Sequence, residues 1–147
     1  MNHWKIVRSI YYKLVAKCPE GTLRTQFTKV PSGFSLRCLP EARMCGECSH
    51  DPNATGGFLL VSKNYLTAKS TNAAVNVRYL NFDTEQERYN AWQSYLTKFA
   101  RFCICMDEST KLAPYMGNYT QPWDDQRFYA YFGLTQPEIQ LIETVIK

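Results

Sequence analysis

The 147-residue chain is 45% hydrophobic and 14% aromatic, enough apolar material for a buried core and too much for a disordered polymer. Its net charge of +4 is unevenly spread: residues 1–101 carry 14 Lys/Arg against 7 Asp/Glu, and residues 102–147 carry 3 against 6. No apolar run approaches the ~20 residues of a bilayer span, and the start, Met1-Asn2-His3-Trp4-Lys5, lacks the basic flank, apolar segment and cleavage site of a signal peptide. These features predict a cytoplasmic, non-membrane protein of one domain, 1–147, with a basic part at 1–80 and a helical part at 81–147.

In chain order, Trp4 to Val15 is rich in β-branched and aromatic residues and predicts at least one strand. Pro19-Glu20-Gly21 is a turn. Leu23 to Val30 alternates as a strand, and Phe34 to Cys38 follows the Pro31-Ser32-Gly33 turn as another. Residues 39–57 are punctuated by Pro40, Gly46, Pro52, Asn53, Gly56 and Gly57, the composition of a long loop. Gly57 to Ser62 is a short apolar run fit for a buried strand, Tyr65 to Lys69 extends or pairs with it, and Ala74 to Leu80 alternates.

Thr84-Glu85-Gln86-Glu87 has capping-box spacing. Tyr89, Trp92, Leu96, Phe99 and Cys103 then recur at helical spacing, predicting one long helix over 85–105. Asp124-Asp125 opens a short helix that stops at Gly133, a C′ glycine. Thr135-Gln136-Pro137-Glu138 is a second capping box, with proline in the first turn where its missing N–H is harmless, and it opens a last helix. The expected fold is α+β: an N-terminal mixed or antiparallel sheet of about four to six strands, packed by the long helix 85–105 and two short C-terminal helices.

For catalysis the motifs are lacking. The sequence has no glycine-rich nucleotide loop and no Gly-x-Ser-x-Gly elbow, and its two histidines, His3 and His50, are too few for a multi-histidine site. A nuclease is disfavoured by the lack of an acidic pair followed by Glu/Asp-x-Lys on a strand. The Asp124-Asp125 pair reads as helix-capping carboxylates. No cofactor is expected, with zinc as the one option. Cys45-Gly46-Glu47-Cys48 is a Cys-x₂-Cys knuckle, with Cys38, His50 and Cys18 as possible further ligands. A single knuckle is half a site, and reduced, structurally incidental thiols are the reading it is weighed against and the one preferred. Trp4, Tyr11, Tyr12, Tyr65 and Tyr79 interleave with basic residues, a pattern that serves phosphates and bases, although aromatic residues on strands are mostly core.

The segments from Tyr79 to Lys147 come in a distinctive order. A strand ending Tyr79-Leu80-Asn81-Phe82 leads to a helix ending Thr97-Lys98-Phe99-Ala100-Arg101-Phe102. Then come Gln121-Pro122-Trp123-Asp124-Asp125 and Tyr131-Phe132-Gly133-Leu134-Thr135. This order resembles the C-terminal, target-recognition-like region of bacterial restriction–modification adenine-specific DNA methyltransferases, over about half the chain. The family's Asn/Asp-Pro-Pro-Tyr and S-adenosylmethionine motifs are missing here. The resemblance therefore implies a DNA-binding or accessory part without methyl transfer of its own, working on duplex DNA and with a methyltransferase or restriction catalytic chain as a further partner. The basic residues expected to contact DNA are Arg8, Lys13, Arg43, Lys63, Lys69 and Arg78. The alternative is a zinc-stabilised or metal-free protein-interaction module docking on a larger catalytic chain.

Overall fold

The first helix of the computed structural model, α1 (His3–Lys17), occupies the stretch expected to be a strand. The structure describes residues 3–17, 26, 28–38, 78–105 and 114–146. Ile6, Ile10 and Leu14 recur every four residues, and Ile10 and Leu14 are wholly buried. That stripe packs α1 against the two C-terminal helices. The β-branched and aromatic residues around it carry only a weak local preference, which this burial overrides.

The sheet is the larger correction. Among the described residues it has two strands, β1 (Phe34–Cys38) and β2 (Arg78–Phe82), and not four to six. They run antiparallel with Phe34 opposite Phe82 and Leu36 opposite Leu80, and Thr28 adds an isolated bridge to Tyr79. Five helices dominate the described architecture. The expected loop 39–57 and the expected strands at 57–62 and 65–69 lie outside the described residues, as do residues 70–77.

Two features shape the turn that enters β1. Gly33 takes φ 64°, the left-handed conformation that suits glycine, and a Cβ there would stand 2.7 Å from the Phe82 carbonyl oxygen. Asn81 bonds the same turn from β2: its Nδ2 donates to Val30 O at 3.0 Å, and its Oδ1 accepts from Ser35 Oγ at 2.7 Å and Ser32 N at 3.1 Å.

The expected helix 85–105 is two helices, α2 (Glu85–Ser94) and α3 (Lys98–Cys105). Thr84 caps α2 by accepting from Glu87 N at 3.1 Å. The break follows from side chains that compete for backbone groups. Ser94 Oγ donates to Ala91 O at 2.6 Å, and Tyr95, Leu96 and Thr97 N–H groups reach back only three residues. A fresh helix start is then capped twice. Thr97 Oγ1 accepts from Ala100 N at 3.2 Å, and the Asp125 carboxylate accepts from Lys98 N at 3.2 Å and Phe99 N at 2.8 Å.

The two C-terminal helices, α4 (Asp125–Phe132) and α5 (Gln136–Val145), form as expected from local signals. Asp124 Oδ1 accepts from Arg127 N at 2.8 Å, and Gly133, at φ 64°, turns the chain out of α4. Together α1, α3, α4 and α5 enclose an aromatic core, while α2 covers the sheet. Phe99 is its centre: its ring stacks on Phe128 and Phe132, each at 5.1 Å between centroids, and Trp123 stacks on Phe128 at 5.1 Å. Tyr119, Tyr95 and Asn90 carry polar atoms into this interior with partners: Tyr95 OH donates to Pro114 O at 3.1 Å and Asn90 Nδ2 to Tyr119 O at 2.9 Å.

Candidate nucleic-acid interface

Helix α1 contains Lys5, Arg8, Lys13 and Lys17 and no acidic residue. Its core stripe leaves the opposite side to solvent. At 100° per residue, Trp4, Arg8, Tyr11 and Val15 fall in one narrow band, and Tyr12 and Lys5 border it. Trp4 is 63% exposed, Tyr12 61%, Val15 50% and Tyr11 40%, unusual values for such large apolar groups. The Arg8 guanidinium lies 5.7 Å from the Trp4 ring centroid, and the Tyr11 and Tyr12 rings meet edge to face at 5.7 Å. The face is therefore basic and aromatic at once.

The residues expected to contact DNA do not gather at this face. Arg8 is on it. Lys13 is on the inward flank of the same helix, where its Nζ donates to Glu138 Oε1 at 2.5 Å and to Gly133 O at 3.1 Å. Arg78 begins β2 opposite Cys38 and is half-buried. Arg43, Lys63 and Lys69 lie outside the described residues. Lys5, Trp4, Tyr11 and Tyr12 are the residues that the reading of this segment as a strand left out of the expected contacts. The readable signal was the 3.6-residue spacing of the exposed set, complementary to the Ile6, Ile10, Leu14 stripe.

On the inward flank the electrostatics are structural. Glu138 is buried, which alone would raise its pKa. Hydrogen bonds from Lys13, from Ser9 Oγ at 2.6 Å and from Thr135 N at 2.7 Å and Oγ1 at 3.1 Å outweigh that and hold it below the usual carboxylate value. Glu143 is held low by Lys98 Nζ at 2.7 Å and by the Tyr129 hydroxyl at 2.9 Å. The Tyr129 phenol is pushed well above its usual value by burial first, and then by the negative charge of Asp125 and Glu143.

A second surface feature is a shallow groove of about 580 Å³ lined by Met116, Asn118, Trp123, Arg127, Ala130 and Tyr131. Arg127 lies 3.7 Å over the Trp123 ring, and its Nη1 donates to Pro122 O at 2.8 Å and Gln121 O at 3.3 Å. Trp123 Nε1 donates to Asn118 O at 2.7 Å. The Pro-Trp-Asp-Asp turn is thus a closed structural unit: its tryptophan is sandwiched, and its two aspartates cap different helices.

Of the zinc candidates, Cys18, Cys45, Cys48 and His50 lie outside the described residues. Among the described residues no three His, Cys, Asp or Glu side chains converge, and no helix is long and apolar enough to cross a membrane. Comparison with protein-family models, curated proteins and solved structures gives no match for the chain.

Proposed function

We propose that this chain is a DNA-binding, target-recognition-like or accessory part of a restriction–modification system, acting beside a separate methyltransferase or restriction catalytic chain. The observation that carries the reading is the acid-free outer face of α1, where Lys5 and Arg8 stand among exposed aromatic rings. A polyanion with planar bases complements that combination better than a neutral surface does. The order of segments over residues 79–147 supports the family resemblance, and α1 packs on α4 and α5 within that region. The test is a gel shift with duplex DNA at low salt: retention that weakens as salt is added is expected. Absence of any shift at the lowest salt rejects the reading.

The apolar share of the same face, Trp4 and Val15 above all, supports a second reading as a module that docks on a larger protein chain. Elemental analysis for zinc, with melting curves before and after chelation, separates the zinc-stabilised form of that reading from the metal-free one.

A further inference from the structure

We infer that the outer face of α1 is a stacking platform for unpaired bases, so that the DNA it takes is single-stranded or locally opened. The inference rests on the nucleic-acid reading above and names the state of the ligand at that face. Two observations carry it. The first is charge. Among the four basic residues of α1 that follow His3, Lys13 is held by Glu138, and Lys17 lies on the flank that packs inward, with its Nζ near Gly133. Lys5 and Arg8 remain on the outer face, which makes about two phosphate contacts and a shallow salt dependence, a log–log slope of roughly −1.4 for a single strand. The charge of this face alone is too little for tight duplex binding.

The second observation is what surrounds those cations. Trp4 and Tyr12 are each more than 60% exposed, and Tyr11 lies between them in the helical array. Residues 4 and 12 are separated by about 12 Å along the axis, the length of roughly three to four stacked nucleotides at ~3.4 Å each. A strand lying along α1 would therefore meet an aromatic ring near each end of such a span. In an intact duplex the base faces are covered by their neighbours, and these side chains would meet sugars and phosphates with their hydroxyl or indole N–H donors alone, leaving the ring faces unused. In an opened strand the base faces are available, and stacking on aromatic rings tolerates any sequence.

The experiment uses the full chain and three labelled probes of equal length: a 20-base-pair duplex, the same duplex with a central unpaired stretch, and oligo-dT, each titrated by fluorescence anisotropy at low salt. Intrinsic tryptophan emission is followed in parallel. Trp92 and Trp123 are largely buried, and an emission change that disappears in Trp4→Ala reports Trp4. The expected result is about tenfold tighter binding of the opened duplex and oligo-dT than of the intact duplex, with Trp4 emission quenched. Trp4→Ala and Tyr12→Ala each weaken the opened probes about tenfold with no change in melting temperature, while Tyr12→Phe, which keeps the ring, binds as wild type. Equal affinity for all three probes without quenching overturns the stacking platform and leaves the DNA-binding reading intact. No binding to any probe overturns both. A DNA-independent dimer whose Trp4 emission shifts on dilution shows that the face is occupied by a second copy, and likewise overturns the inference.

Discussion

Replacing Glu138 with glutamine removes the charge that joins α1 to α5 while keeping the side chain's shape. Glu138 is 3% exposed and receives Lys13, Ser9 and Thr135, the last through both its backbone N–H and its hydroxyl. Breaking a buried ion pair costs about 3–5 kcal/mol. Here Lys13 is 29% exposed and can regain water when its partner is lost, so the cost is nearer 2–3 kcal/mol. For a domain of this size that lowers the melting temperature by roughly 5–10 °C. The pH dependence has a definite sign. The folded-state pKa of Glu138 lies below its unfolded value, so its stabilisation is complete above the ordinary glutamate pKa of about 4.3 and is lost as pH falls through the depressed folded value. Melting curves followed by circular dichroism between pH 3 and 7 should therefore show wild type and Glu138→Gln converging at the acid end. Lys13→Met should cost about as much, and the double variant less than the sum, because the two share one interaction. Equal melting temperatures at pH 7, or two pH curves that stay parallel down to pH 3, would refute the assigned role.

The remaining predictions concern the turns and caps. Gly33→Ala should destabilise more than Gly133→Ala, although both glycines have φ near +64°. A Cβ at Gly33 meets the Phe82 carbonyl oxygen at 2.7 Å, whereas at Gly133 it meets only the Lys17 Nζ at 3.6 Å, so the second change costs about 1–2 kcal/mol of backbone strain and the first exceeds it. Denaturant midpoints of the two variants rank them, and a reversed order contradicts the close contact between Gly33 and the Phe82 carbonyl. Asp125→Ala strips acceptors from two N–H groups of α3 and should cost about 1–3 kcal/mol, against about 1 kcal/mol for the ordinary cap lost in Asp124→Ala. Equal losses would show that Asp125 does not hold the start of α3. Tyr129→Phe should flatten the alkaline limb of the stability profile. The raised phenol pKa means that wild type holds this contribution below pH ~10 and loses it as pH rises further. An unchanged limb would place the titration elsewhere.

The parts of the fold that the sequence made legible are those set by neighbours three or four residues apart. Thr84, Asp124 and Thr135 start their helices, and Gly133 ends one, because each acts on backbone groups within one turn. The break between α2 and α3 combines the local Ser94 and Thr97 bonds with a distant one, from Asp125, 27 residues from the N–H group of Lys98 that it accepts from. No window along the chain contains that partner. The misreading of α1 has the same origin. Isoleucine, tyrosine, valine and tryptophan favour strands locally, and the helix is decided by burial of Ile10 and Leu14 against distant helices. That error hid the candidate site: strand alternation puts Trp4, Arg8 and Tyr12 on one face and Lys5 and Tyr11 on the other, whereas helical spacing brings all five to one side, opposite the inward stripe of Ile6, Ile10 and Leu14. It also placed Lys13 among the DNA contacts, where its partner Glu138, 125 residues away, could not be seen.

The central claim is that α1 carries the DNA-binding surface. The most direct measurement is the salt dependence of duplex binding for wild type, Lys5→Ala, Arg8→Ala and the double variant. The log–log slope should become shallower by roughly 0.9 for each of these two cations removed. Binding with a slope that none of these variants alters, or no binding at the lowest salt, would contradict the account.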